Sequence, residues 1–449
     1  MIQLHLSDLA TALNCRISTR DVVIDNIVTD SRKVRYGTLF AALPGSHVDG
    51  HDFAASAVEM GAVALLVSHR LELNVPQLVV KDVLLALGRL ARLIRDRVNP
   101  LVIGITCSNG KTTVKEMLTS ILRLQDEVLA TRGNYNNELG VPLSLFDLEQ
   151  NHRFAVLEMG ASKSGDIAYL AGIAKPDLGL ITNIGPAHLH GFGSEEGVAR
   201  AKGEIFAALP AAGWAIINAD EPWSDLWAGM STAGHSLTFG SQPGSDVQLV
   251  ENNGHSRIVT PGGEFELRLA LPGRHNLLNA TAAAAVALAL DIDLSKIQQG
   301  LESVKPVPGR LNLLRTKAGW TILDDTYNAN PASLYSALQV LSGMQGTPWL
   351  VLGDMKELGK GSRKMHWEVG EAAKAMGVGQ LFATGEMSAY TAEAFGAGAE
   401  HFEDRDELAA ELCSRLRPGV ICLVKGSRSM GMEAIVEALS EAAKMREAS

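Results

Sequence analysis

Residues 101–124 constrain the fold more than any other stretch of the chain. Leu101, Val102, Ile103 and Ile105 form a short apolar run that reads as a buried strand, and from 112 to 124 Val114, Met117, Leu118, Ile121 and Leu122 recur at helical spacing. Between the two lies Gly104-Ile105-Thr106-Cys107-Ser108-Asn109-Gly110-Lys111-Thr112-Thr113. A glycine-bearing turn from a buried strand into a helix aims backbone N–H groups and the positive end of the helix dipole at one point, which favours an anion. In such a turn Lys111 would reach the terminal phosphates of a nucleotide and Thr112 a magnesium ion, with Ser108, Asn109, Gly110 and Thr113 completing the cradle. Five residues separate Gly104 from Gly110, one more than the strict GxxxxGK[ST] spacing allows. A plain helix start with a solvated lysine is the competing reading, and the strand, loop and helix context favours the nucleotide.

The same rhythm of apolar run, polar turn and helical segment recurs beyond residue 100, with strands expected at 154–157, 178–182, 214–217, 321–323, 349–352 and 421–424. That is the pattern of parallel α/β folding, in which ligands bind outside the carboxyl ends of the strands. Asn99-Pro100, after a helix rich in Leu and Arg, and Val307-Pro308-Gly309-Arg310 mark two boundaries. They divide the chain into domains at 1–99, 100–312 and 313–449, and the Ala-rich run at 280–290 reads as a buried helix.

Composition narrows the class. With 46% apolar and 20% charged residues the chain is an ordinary globular one. A formal charge of -10 argues against nucleic acid or anionic lipid as partner, so an anionic ligand must be held by local groups. Cys15, Cys107, Cys413 and Cys422 form no CxxC pair, which suits a reducing compartment and a cytoplasmic location. No run reaches the roughly 18 apolar residues of a membrane span.

The loop at Thr106, Ser108, Gly110, Lys111 and Thr112 resembles that of the Mur ligase family, and further blocks resemble the family in order and spacing. They are Gly133-Asn134-Tyr135-Asn136-Asn137-Glu138, Leu157-Glu158-Met159-Gly160, Thr182-Asn183-Ile184-Gly185-Pro186-Ala187-His188, Ala201-Lys202-Gly203-Glu204, Pro272-Gly273-Arg274-His275-Asn276 with Asn279, Pro308-Gly309-Arg310, Asp324-Asp325-Thr326-Tyr327-Asn328-Ala329-Asn330-Pro331, Gly353-Asp354-Met355-Lys356-Glu357-Leu358-Gly359 and Lys425-Gly426-Ser427-Arg428. The resemblance spans essentially the whole chain. It implies three α/β domains: a central parallel-sheet domain of the phosphate-loop type, a small α/β N-terminal domain for the UDP end of a substrate, and a Rossmann-like C-terminal domain.

It also implies roles. Glu158 and His188 would be magnesium ligands alongside Thr112, and Lys202 would carry a carbamate that helps hold the metal. Asn279 and Arg310 would contact ATP, Asp325 its ribose, and Lys425 the reacting groups. Thr29, Asp30, Ser31 and Arg32, with Asp49-Gly50-His51-Asp52, would lie around the uridine diphosphate, and Asn134 and Asn137 would touch the substrate. Read bare, Glu158 is a strand-end carboxylate, His188 a structural histidine, Lys202 a solvated lysine in a short polar helix, and the first-domain blocks are turns.

The absence of an Asp-Asn-Pro-Arg motif, together with the 324–330 and 353–359 blocks, resembles the family member that adds a dipeptide. The implied activity is ATP-dependent joining of D-alanyl-D-alanine to UDP-N-acetylmuramoyl-tripeptide through an acyl phosphate, in peptidoglycan precursor synthesis, by a monomer. The alternatives are an impaired nucleotide-binding relative or a ligase for another amino-acid acceptor. A GTPase is disfavoured because no Asn-Lys-x-Asp run occurs. Cys107 stands where the family has glycine. If that position needs positive φ, the substitution costs about 1–2 kcal/mol, and a thiol at a helix amino end beside Lys111 is expected to be reactive unless it packs beneath the loop.

Overall fold

The computed structural model describes residues 1–16, 20–45, 48–185 and 189–448. Among the described residues three larger sheets follow one another along the chain, each built mainly from parallel strands. The first pairs Asn26–Val28, Thr38–Ala41, Ala62–Val67 and Gln77–Val79, all in parallel. It is followed by the helix Val83–Val98, which Asp82 caps by accepting from the Leu85 N–H and which ends at Asn99 in the left-handed conformation. Pro100 then cannot continue the helix, and the chain enters the central sheet.

In the central sheet Leu101–Thr106 lies between Phe154–Glu158 on one side and Leu178–Ile181 on the other, with Trp214–Asn218 and His235–Gly240 beyond. The order reverses at Leu101–Thr106, so a crevice opens at its carboxyl end, where the phosphate loop begins. Ile103 and Ile105 are wholly buried, worth roughly 1.5–3 kcal/mol each relative to exposure. Over this face lies the helix Arg274–Ala289, in which the residues from Ala280 to Ala287 are buried almost without break. Their small side chains let it approach the helix Lys111–Leu122 and the sheet together. A third helix, Leu294–Glu302, crosses at Gly300, where a Cβ would stand 2.6 Å from the Ile121 Cα.

The structure contains strands that the apolar runs did not reveal. Val247–Asn252, His255–Thr260 and Gly263–Glu266 continue the central sheet, the last two antiparallel. They are short, half-exposed edge strands, so no continuous apolar run marks them. The usable signal was Asn253-Gly254: both residues have positive φ, and Asn252 faces His255 across a two-residue turn.

The last sheet places Val420–Lys425 between Thr321–Asp325 and Thr347–Gly353, all parallel, with Gln380–Thr384 and Ala399–Phe402 outside and Asn312–Arg315 antiparallel at the edge. Asp325 and Lys425 are register partners at the carboxyl ends of adjacent strands. That edge of the sheet opens onto the same crevice as the phosphate loop.

Candidate active site

A cavity of about 1020 Å³ occupies this junction. It is lined by Ser108 through Thr113, Asn134, Asn137, Glu158, Lys202, Asn279, Arg310, Asp325 and Lys425, so residues expected to share a site from sequence blocks hundreds of positions apart do share one. Thr29, Asp30, Ser31 and Arg32 do not line it. There Asp30 caps a short 3-10 turn and holds the Arg32 guanidinium by two hydrogen bonds of 2.9 Å. In the same first unit Asp49 accepts from the buried His51 ring at 2.6 Å, and His51 Nε2 accepts from the Ser68 N–H. His188 lies outside the described residues.

The phosphate loop is tied to the neighbouring strand end. The Ser108 N–H donates to the Asn183 carbonyl at 3.0 Å and the Asn109 N–H to the Asn183 side-chain oxygen at 2.9 Å, while the Asn183 amide returns a bond to the Asn109 carbonyl. What remains for an anion is the amino end of the helix Lys111–Leu122, whose first-turn N–H groups lack helical partners. Gly110 enters that helix at φ +90°, and a Cβ there would sit 2.8 Å from the Asn279 side-chain oxygen. Glycine is therefore required for backbone and space alike. The Lys111 ammonium donates to the Cys107 carbonyl at 2.5 Å, folding back over the loop.

Cys107 corrects two expectations. It is not among the non-glycine residues with positive φ, so its departure from the family pattern carries no backbone strain. Its side chain is fully buried, as small apolar groups commonly are, rather than exposed as a reactive thiol.

Lys202 is also unlike its bare reading. On the helix Glu195–Ala207 it faces inward and is 3% exposed. Burial, assisted by the nearby positive charge of Lys111, pulls its ammonium from the ordinary 10.5 down to about 7. Glu158 ends its strand 1% exposed, and its Oε1 has no hydrogen-bond partner. The nearest cation, Lys115, stands 3.7 Å away and is engaged by Glu116 at 2.7 Å and the Thr131 carbonyl at 2.9 Å.

The C-terminal sheet contributes an ion pair. Lys425, 2% exposed, bonds the Asp325 carboxylate and donates to the Asn328 carbonyl at 2.9 Å. The other Asp325 oxygen accepts the Leu311 N–H, and the Arg310 guanidinium lies 4.1 Å from the centre of the Tyr327 ring.

Family models match most of the chain: "Mur ligase family, catalytic domain" over residues 23–95, "Mur ligase middle domain" over 105–287 and "Mur ligase, glutamate ligase domain" over 309–428. The Escherichia coli K12 UDP-N-acetylmuramoyl-tripeptide–D-alanyl-D-alanine ligase is 42% identical, covering 98% of this chain and 99% of that protein. The chain belongs to the Mur ligase family. Among solved structures, MurF from Acinetobacter baumannii superposes with a TM-score of 0.93 at 35% identity, over 98% of this chain and 99% of that one. MurF from Thermotoga maritima in complex with ADP superposes with a TM-score of 0.83 at 31% identity, over 94% and 98%. These likenesses bear out the three-domain α/β architecture expected from the sequence.

The oxygen donors at the site are of the kind that magnesium takes. Among the described residues no group of three or more His, Cys, Asp or Glu gathers in one place. Magnesium keeps several waters and takes one or two carboxylates together with substrate phosphates. The buried Glu158, with one carboxylate oxygen lacking a hydrogen bond, and the buried Thr112 both line the cavity, and a buried polar oxygen left unbonded is costly unless a ligand meets it.

Several cavity residues were assigned nothing from the sequence. Asn183 and Asn330 stand within the quoted blocks, but an asparagine in a turn is commonplace. Glu221 lines the cavity beyond Asn218, and burial lifts its carboxyl to about 7, with Asp220 and Glu195 adding to the effect against a hydrogen bond from the Ile184 N–H. His275 is pushed down to about 4 by burial and then by the Lys425 charge, so it is neutral. No spacing in the sequence distinguishes these from surface positions.

Proposed function

We propose that this Mur ligase uses ATP to join D-alanyl-D-alanine to UDP-N-acetylmuramoyl-tripeptide, releasing ADP and phosphate in peptidoglycan precursor synthesis. The observation that carries the reading is full-length identity of 42% to a ligase of that specificity, joined to a cavity that holds every described nucleotide-site residue the family motif predicts.

The terminal carboxylate of the tripeptide attacks the γ-phosphorus of ATP, forming a C(O)–O–P linkage as the bond to ADP breaks. The free amine of the dipeptide then attacks the acyl carbon, the C–O bond breaks, phosphate leaves, and the amine gives up its proton. Lys111 turns from the Cys107 carbonyl to the terminal phosphates, and the helix amino end behind Gly110 stabilises their charge. Asn279 and Arg310 hold the nucleotide, and Asp325 its ribose. Lys425, paired to Asp325, faces the reacting groups, and Asn134 and Asn137 touch the carboxyl donor. Thr29 to Arg32 would meet the uridine diphosphate on the first unit. Thr112, Glu158 and His188 would hold magnesium, which when bound draws charge from the transferring phosphoryl group.

A lysine held near neutrality is chemically able to add CO2, as an ammonium is not. Lys202 therefore suits a carbamate, R–NH2 + CO2 giving R–NH–COO⁻ and a proton, and so a second anionic group at the metal site. We place the units at 1–99, 100–312 and 313–449, and enclosure of the cavity between the second and third keeps water from the acyl phosphate. Among the described residues no helix is long and apolar enough to cross a membrane, and the free cysteines suit a reducing compartment. We assign a monomer in the cytoplasm.

Coupled measurement of ADP release tests the reading. Turnover is expected only with magnesium, UDP-linked tripeptide and D-alanyl-D-alanine together. Equal turnover with a free diamino acid and UDP-linked dipeptide would instead assign another acceptor, and nucleotide binding without turnover would mean an impaired relative.

A further inference from the structure

A side chain of the C-terminal unit, that of Asn330, hydrogen-bonds the phosphate loop. Asn330 begins the helix Pro331–Ser342: its Oδ1 accepts the Ser333 N–H at 2.9 Å, and its own N–H donates to Ser333 Oγ at 3.1 Å. That capping box uses the oxygen and leaves the side-chain amide to donate. It donates to Asn109 Oδ1 at 2.8 Å, across 221 positions of sequence.

Asn109 is otherwise held through its backbone. Its N–H and carbonyl are both engaged by the Asn183 side chain, at 2.9 and 2.8 Å. Asn183 therefore fixes where the loop backbone runs, and Asn330 reads where it is through the side chain. On the other side, Asn330 lies two residues beyond Asn328, whose carbonyl accepts from Lys425. The turn that carries the Asp325–Lys425 pair thus rests directly on the residue before Gly110.

We propose that Asn330 is a positioning residue that latches the C-terminal unit onto the phosphate loop, through Asn109, so that the Asp325–Lys425 pair is registered against Lys111 for the transfer. The geometry separates this role from helix capping, because different atoms of one side chain perform the two. Serine caps a helix nearly as well as asparagine but has no amide to reach Asn109. Aspartate also caps, and would set a carboxylate oxygen against the Asn109 oxygen. The latch itself stands on geometry, and its consequences for the transfer and for nucleotide affinity rest on the ligase reading.

Hydrogen exchange read by mass spectrometry on the full ligand-free chain tests the latch without any nucleotide. In Asn330→Ser the segment 107–113 is expected to exchange about two- to tenfold faster, the worth of one net hydrogen bond, while the 331–342 segment is unchanged. Asn330→Asp should accelerate the loop further. Asn109→Ala is the companion from the other side, and adding Asn330→Ser to it should produce no more than the larger single effect. Calorimetry with ADP should then show about two- to tenfold weaker binding in Asn330→Ser. Unchanged loop exchange, or acceleration confined to 331–342, would reduce Asn330 to a cap and overturn the latch. Faster loop exchange with unchanged ADP affinity would overturn its coupling to the nucleotide. A parent protein that binds no ADP would remove the ligase reading, with loop exchange still deciding the latch.

Discussion

Replacing Lys202 by methionine should stabilise the ligand-free protein, and by an amount that depends on pH. The side chain is 3% exposed and its ammonium is held at about 7 instead of 10.5. In the unfolded chain the group keeps its ordinary value, so between these two limits the unfolded state binds more protons, and stability rises with pH. Below pH 7 both states are protonated and the folded protein bears the whole penalty. At about 1.4 kcal/mol per pH unit, that is roughly 5 kcal/mol. The stability is fully present only above 10.5, is lost progressively as pH falls from there, and is gone below about 7. Methionine is of similar length and cannot ionise, so its contribution is flat. In CO2-depleted buffer the advantage of Lys202→Met should be about 2 kcal/mol larger at pH 6.5 than at pH 8.5. For a unit of roughly 200 residues this is a difference of about 4–8 °C in the gap between the two thermal midpoints. Scanning calorimetry at the two pH values measures it. Bicarbonate should raise the midpoint of the parent and not of the variant, since CO2 binds only the folded neutral amine. A gap independent of pH would show that Lys202 keeps an ordinary charged state, and the carbamate argument would fail with it.

Gly110→Ala should weaken ADP binding at least about tenfold by calorimetry, because alanine at φ +90° is strained and its Cβ meets Asn279 at 2.8 Å. Cys107 should be alkylated more slowly than the half-buried Cys15 and Cys413, as peptide mapping after brief labelling would reveal. Cys107→Gly should lower stability by about 0.5–1 kcal/mol, since glycine adds backbone freedom where no positive φ is needed.

The strands and helices that place the site were readable because each is a buried apolar run closed by a turn. Thus 101–106 coincides with Leu101–Thr106, and 421–424 lies within Val420–Lys425. Residue roles were legible to a different degree. Lys111 and Gly110 follow from local geometry, since a loop entering a helix has one anion-facing end. Glu158 and Lys202 were distinguished from ordinary surface groups only by resemblance, because burial is a tertiary property that a single polar letter does not carry. Asn183 and Asn330 were missed for the same reason: their importance lies in which distant loop they touch. Cys107 was misjudged because the family's glycine suggested a backbone requirement that sits three residues later, at Gly110.

On the proposed ligase reading an acidic protein with a net charge of -10 admits ATP and a UDP-linked peptide, and the way the cavity's cations are already engaged favours this. Lys425 is paired to Asp325, Lys356 to Asp354 at 2.7 Å, Arg274 to Glu251 at 2.7 Å and Arg428 to Glu433 at 3.0 Å. Among the described residues Lys111 and Arg310 have no carboxylate within an ion-pair distance of 4 Å: the first rests on a carbonyl and the second on the Tyr327 ring. An incoming phosphate displaces contacts of that kind at less cost than a formed ion pair, because it leaves no carboxylate unpaired. On that reading the two cations most readily released to a nucleotide come from the phosphate loop and from the segment leading into the C-terminal sheet. Under the proposed mechanism a polyanion neutralised between them favours their approach, and so ties the sheet that carries the Asp325–Lys425 pair to the phosphate loop.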